Sequence, residues 1–231
     1  MTRVFYNAML GAAITVETPI DGQTGVWLKS GGVTISSGMK MIGATVTTGQ
    51  TQYVYDRGVA WSATCIEGGL QRVSSGGVAR DTVLSSGGRL DAYVGGSVVG
   101  IVFLSGGTGQ AQTGGTVANA TVMTGGRLNA GSNGLVATPI VSGGLVYMYT
   151  NGLVSGGTVF SGGRVQGGGS VHGVTVSSGG SINLLTNAVG SSLTIASAGH
   201  LLVQSGASAL AVTSNAGAIV AVSSGGYIEY A

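Results

Sequence analysis

Charge is what this chain has least of: only 7% of its 231 residues are Asp, Glu, Lys or Arg, nine basic against seven acidic, for a net charge of +2. Charges so few and so scattered form no basic stripe, which excludes nucleic acid as an expected partner. The single cysteine, Cys65, rules out a disulfide framework and a thiolate metal cluster. No stretch of eighteen or more apolar residues occurs, so no segment reads as a membrane-spanning helix. Aromatics are held to 6% and prolines to two. Two-residue alternation between glycines leaves no amphipathic helical stretch of useful length.

What the chain has in excess is glycine, 46 residues of it. Glycine-rich sequences are often disordered, but 43% of this one is hydrophobic and regularly placed, which gives something to bury against the entropy of ordering. Counted from Gly58, the corner glycines fall at Gly69, Gly77, Gly88, Gly96, Gly107, Gly115, Gly126 and Gly134, with gaps alternating between eleven and eight. A 19-residue period of this kind is the signature of stacked, equivalent units. The chain is therefore expected to be an all-β solenoid.

In the eleven-residue block the second, fifth and seventh positions after the glycine are apolar, as in Val98, Ile101 and Phe103, Val117, Ala120 and Val122, or Val171, Val174 and Val176. In the shorter block the second and fourth are apolar, as in Leu90 and Ala92, Leu128 and Ala130, or Ile182 and Leu184. Each block reads as one short strand with an inward face. Strands that repeat with one polarity must be parallel, giving a single-stranded parallel β-helix of about ten coils, roughly 50 Å long at one strand spacing per coil. Glycine at the corners relieves the clash a Cβ would create in a sharp bend. The period shortens to eighteen residues from Gly134 to Gly152 and to seventeen from Gly152 to Gly169, so a corner or strand is trimmed there. Residues 1–25, with Pro19, depart from the repeat and are expected to cap residues 26–231. The start, Met1 to Val16, is a poor match to a signal peptide, so any export signal is expected outside this chain. The last corner and Tyr227 to Tyr230 leave a coil edge that either continues or stacks.

Few residues suggest chemistry. Cys65 falls at the seventh block position and reads as core. His172 and His200 read as solvated surface residues, and no acid shares their positions. The carboxylates Glu17, Asp21, Asp56, Glu67, Asp81, Asp91 and Glu229 are too dispersed for an acid/base pair, although Asp81 and Asp91 are half a coil apart. No aspartate follows the corners on the schedule that calcium binding requires. The chain is expected to be no enzyme and to need no metal or cofactor. Trp61, Tyr93, Tyr147 and Tyr149 read as scattered outward aromatics. Two ladders stand out. Arg89, Arg127 and Arg164 follow corners two coils apart, separated by Thr108 and Leu145, a spacing that suits solubility or the grip of an anionic glycan. Ser86, Ser105, Thr124, Ser142, Ser161, Ser178 and Ser197 precede corners, where a hydroxyl can bond a corner amide or accept a sugar.

The units from Val73 to Gly77, Thr121 to Leu128 and Val174 to Ile182, with their Thr-x-Val-x-Ser-Gly-Gly pattern in a 19-residue frame, resemble the repeats of AIDA-type self-associating autotransporter adhesins. The resemblance covers roughly residues 30–226. It implies a right-handed coil, a secreted passenger at the outer-membrane surface, and roles in adhesion, autoaggregation and biofilm formation. Implied partners are like molecules, host or bacterial surface receptors or glycans, and a glycosyltransferase acting on Ser86, Ser105, Ser161 and Ser178. The export signal and outer-membrane barrel of that family are not recognisable here. Two alternatives are a fibre subunit that polymerises through open β-edges and a β-helical polysaccharide-processing enzyme, which the missing acid cluster disfavours.

Overall fold

In a computed structural model, the described residues are 2–7, 12–17 and 24–231, with side chains described from residue 24 onward except at 35. Pro19, Asp21 and the side chain of Glu17 lie outside them. The described residues contain strands and turns and no helix.

A parallel β-solenoid of about ten 19-residue coils follows from the pairing. Val78 to Arg80, for example, pairs in register with Val59 to Trp61 on one side and Ser97 to Val99 on the other, each 19 residues away. The inward positions read from the sequence are buried without exception among those named: Val98, Ile101, Phe103, Val117, Ala120, Val122, Val171, Val174 and Val176, with Leu90, Ala92, Leu128, Ala130, Ile182 and Leu184. These side chains stack as one apolar column down the axis.

The expectation of one strand per block needs correction. Eleven-residue blocks contain two strands, such as Ser97–Val99 and Val102–Phe103, so with Arg89–Ala92 a coil has three sides, and near the C-terminal end the strand Ser208–Ser214 runs through the corner with a register shift. The extra corner lies four residues after the corner glycine, or after the alanine that replaces it at Ala188 and Ala207, and is turned by a left-handed residue. Asp81, Gly100, Asn119, Thr138, Gly156, Gly173, Ser192 and Ala211 all have φ between 46° and 72° there. Asparagine, aspartate and glycine tolerate this region, which is why the corner is not marked by glycine in every coil. The three-residue gap between inward positions two and five was the signal, since unbroken alternation cannot skip a residue without turning the chain.

Both shortened coils lose residues from corners, leaving the strands intact. Met123 pairs with Ser142 at a separation of 19, but Arg127 pairs with Leu145 at 18, so one residue is missing from the corner between Ser142 and Leu145. Similarly, Met148 pairs with Gly167 and Leu153 with Ser170, which removes two residues from the corner around Gly168. Strand length is conserved because each strand must bury the same inward face, whereas a corner only has to turn.

At the N-terminal end the pairing is antiparallel. Val26–Ser30 pairs antiparallel with both Val33–Gly38 and the first full rung, Gln50–Val54, and Ala12–Glu17 pairs antiparallel with Lys40–Ile42. Parallel stacking starts with Lys40–Ile42 against Val59–Trp61. Antiparallel strands laid on the first rung occupy its hydrogen-bonding edge, which would otherwise invite another chain.

Candidate functional site

The corner hydroxyls form a row because backbone hydrogen bonds lock successive corners in register: Ser86 N–H donates to Ser105 O at 2.9 Å, Gly87 to Gly106 at 3.0 Å and Gly106 to Gly125 at 3.1 Å. Side-chain spacing along the row is therefore one coil rise. Ser86, Ser105, Ser161 and Ser178 are all exposed. Their Oγ atoms do not bond the corner amides, contrary to the expectation from sequence, because the first amide of each corner donates to a carbonyl of the next coil and the second to the carbonyl three residues back, as Gly88 N–H does to Ser85 O at 2.8 Å. At Ser105 and Ser161 the hydroxyl instead occupies the space that the next coil's glycine leaves free, whereas over Ser178 the next coil places Ala198. A Cβ at Gly125 would stand 2.7 Å from Ser105 Oγ, and one at Gly179 would stand 2.8 Å from Ser161 Oγ. The repeated Ser-Gly-Gly thus reports an interlock between coils, with the hydroxyl left free toward solvent.

Ser142 is a second correction. It pairs with Met123 at the end of a strand, while Gly143 takes the place above Thr124, so the row is interrupted in the trimmed coil. Another hydroxyl row was missed: Ser75, Thr113, Ser132, Thr150, Thr186, Ser205 and Ser224, exposed at the opposite corner. Gly95 and Gly225 pass over Ser75 and Ser205 in the same manner, with a Cβ placed 2.8 and 2.9 Å from the respective Oγ. The offset, two residues before a corner glycine, is the same for Ser75 and Gly77 as for Ser86 and Gly88, so the signal was present.

The arginine ladder is real. Arg89 pairs with Thr108, Thr108 with Arg127, Arg127 with Leu145 and Leu145 with Arg164, all on the face built from the short-block strands. Arg127 Nε donates to Asn129 Oδ1 at 2.9 Å, and its guanidinium carbon lies 5.4 Å from the centre of the Tyr147 ring. Tyr147 in turn meets Tyr149 edge-on, with ring centres 5.0 Å apart. Trp61, 40% exposed on a different face, donates its Nε1–H to Asp81 Oδ2 at 2.8 Å and lies under Lys40 Nζ at 4.8 Å.

The carboxylates are not assembled into a pair. Asp81 sits at a bend, while Asp91 lies within a strand of another sheet and is only 6% exposed, which corrects its reading as a solvating charge. Its cross-strand neighbours Arg72 and Gln110 cover it. Asp56 is exposed and 3.6 Å from Arg57. No group of three or more His, Cys, Asp or Glu able to hold a metal occurs among the described residues. Cys65 is buried in the core, where desolvation pushes its thiol up to about 12 and keeps it protonated. His172 is exposed, with Nδ1 2.9 Å from Ser191 Oγ, and His200 is exposed on the arginine face.

One buried polar chain was not foreseen. Gln71 Nε2 donates to Gln52 Oε1 at 2.6 Å, and Thr82 Oγ1 donates to Gln71 Oε1 at 3.1 Å, all three inside the column. Because the partners are 19 and 11 residues away, the chain ties neighbouring strands and coils to one register.

No family model matches the chain, and no curated protein matches it. Among solved structures, it is similar to the crystal structure of the TibC-catalysed, hyper-glycosylated TibA55-350 fragment, at 28% identity and a TM-score of 0.67 over 82% of this chain and 81% of that one. The similarity joins a shared β-solenoid to a fragment whose glycosylation is the work of another protein.

Proposed function

We propose that the chain is the β-helical rod of a bacterial adhesin, displayed outside the cell at the outer-membrane surface, and that a glycosyltransferase modifies Ser86, Ser105, Ser161 and Ser178. The observation that carries the reading is the register-locked row of exposed hydroxyls with no competing protein bond, on a rod similar to a hyper-glycosylated fragment. Many weak, evenly spaced contacts along such a rod add up through effective concentration, without a deep pocket. Autoaggregation through like molecules, adhesion to surface receptors and biofilm formation are the roles this architecture serves.

Co-expression with a transferase active on the TibA fragment tests the modification by intact mass. Mass increments that map to corner serines and fall in the quadruple Ser→Ala variant are expected. An unmodified mass beside fully modified TibA refutes it. The adhesive role is tested by displaying the chain on non-aggregating cells and following settling, where settling equal to that of undecorated cells refutes it.

A further inference from the structure

Between Asp91 and Glu229 the only ionised side chains are Arg127 and Arg164, and the only imidazoles are His172 and His200. Pairing puts three of these four on one line. The ladder that runs from Arg89 through Thr108, Arg127 and Leu145 to Arg164 continues through Ser181 to His200. A basic side chain therefore stands on every second rung, ~10 Å apart, with a short or apolar residue between. Charge placed only for solubility would be shared among the faces, yet the other two faces carry no Arg, Lys, Asp or Glu between residues 92 and 226.

The intervening rungs leave hollows. One of about 350 Å³ lies over Leu145 between Arg127 and Arg164, and one of about 580 Å³ lies over Ser181 between Arg164 and His200. A smaller one, about 40 Å³, lies over Thr108 beside Arg89. Two residues further along the same strands runs a parallel row of Gln110, Asn129, Tyr147, Gln166 and Asn183, again paired in register. The side chains of Gln110 and Gln166 make no hydrogen bond with protein, and the terminal nitrogens of Arg127 make none either.

We propose that this face binds a linear anionic polysaccharide laid along the rod axis, with one carboxylate or sulfate per disaccharide on successive ladder side chains and the sugar rings over the hollows. Arg127 and Arg164 form the centre, with Arg89 and His200 flanking. Two rungs approximate the length of a disaccharide in an extended chain. The amide row offers donors and acceptors to sugar hydroxyls, and Tyr147 offers a ring face. A nucleic acid fits less well, since a duplex strand presents a phosphate every 3.4 Å, about three per ladder interval. The assignment names the partner class of the adhesive reading and takes its biological meaning from that reading.

The test is binding of the purified chain to immobilised chondroitin sulfate, hyaluronan, neutral dextran and single-stranded DNA. Binding to hyaluronan, which has one carboxylate per disaccharide, indicates carboxylate recognition, binding to chondroitin sulfate but not to hyaluronan indicates sulfate recognition, and either supports the assignment if dextran is not bound. Arg127→Gln with Arg164→Gln is expected to weaken it by about an order of magnitude, each exposed charge contact contributing modestly. Lys40→Gln with Arg80→Gln, an equal charge change on another face, is expected to leave it unchanged. Ser181→Glu, which puts a carboxylate between Arg164 and His200 and gives up only the 3.4 Å hydrogen bond from Ser181 Oγ to Gly163 O, is expected to weaken binding while leaving both flanking side chains in place. Failure to exceed dextran on either polyanion, equal loss in the Lys40/Arg80 variant, or DNA bound as tightly as the polysaccharides overturns the assignment. None of these outcomes bears on cell settling, which judges the adhesive reading separately.

Discussion

Replacing Gly109 by alanine should destabilise the rod, although the residue sits in an ordinary strand where alanine normally gains stability. Gly109 is in register between Leu90 and Leu128, at an inward position, and its backbone is not left-handed. Glycine in a strand costs roughly 0.5–1 kcal/mol relative to alanine, so without an obstacle the substitution would stabilise. The obstacle is Phe103, the largest fully buried side chain among the described residues, which fills the space a leucine takes in the flanking coils. A Cβ at 109 would lie 2.5 Å from Phe103 Cε1 and 2.7 Å from Cζ. Overpacking of this kind costs about 1–3 kcal/mol. Phe103→Val, which installs the type of side chain found at Val122 one coil on, removes the ring and costs about 3 kcal/mol through lost burial and the cavity left behind. In the double variant the new methyl occupies part of that cavity, so the total should fall short of the sum by about 1–2 kcal/mol, the coupling expected of residues in contact. Urea unfolding followed by far-ultraviolet circular dichroism, run on all four corners of the cycle, measures it. An alanine at 109 that stabilises, or effects that add to within about 0.5 kcal/mol, would refute the packing argument.

Gln71→Leu should cost about 1–3 kcal/mol by stranding Gln52 Oε1 and Thr82 Oγ1, and Gln52→Leu with Gln71→Leu and Thr82→Ala should recover most of it in the same denaturant assay. Ala198→Gly should stabilise by up to about 1 kcal/mol, since Ala198 is exposed at φ 54° and the left-handed penalty exceeds the entropy cost of glycine; a lower midpoint would contradict this. Cys65 should resist alkylation in the folded rod and react on unfolding, read by mass spectrometry; labelling of the native chain at neutral pH would count against its burial. The raised thiol also sets a sign for pH. An unfolded thiol releases its proton from about pH 9 while the folded one holds it to about 12, so this group's contribution is intact below 9 and is lost as pH rises between the two. Cys65→Val should flatten that part of the alkaline stability profile.

Much of the architecture could be read in one dimension because a solenoid repeats its local problem. A residue's place in the 19-residue frame specified whether it faces the column, so Cys65 could be assigned to the core from Leu84 and Phe103 at equivalent positions, and it is buried. Corner glycines, parallel pairing, the exposed serines and the arginine ladder follow from the same period. The third corner was hidden because several residue types adopt left-handed angles there, and no single letter marks it.

Relations between coils were not legible in that way. Ser142 leaves the hydroxyl row because a corner lost one residue, and only strand pairing shows which side of the gap it joins. Asp91 is sheltered by neighbours a coil away on either side, and His200 extends the arginine line through a coil shortened by two residues. Gly109 stands where it does because Phe103 is large. Periodicity, carried by the sequence alone, determined fold, direction and inward face, since these depend on each residue's own position in the frame. Tertiary structure decided the number of sides, the register across trimmed corners and which side chains share volume or charge, because those depend on what lies one rung away in space and 17 to 19 residues away along the chain.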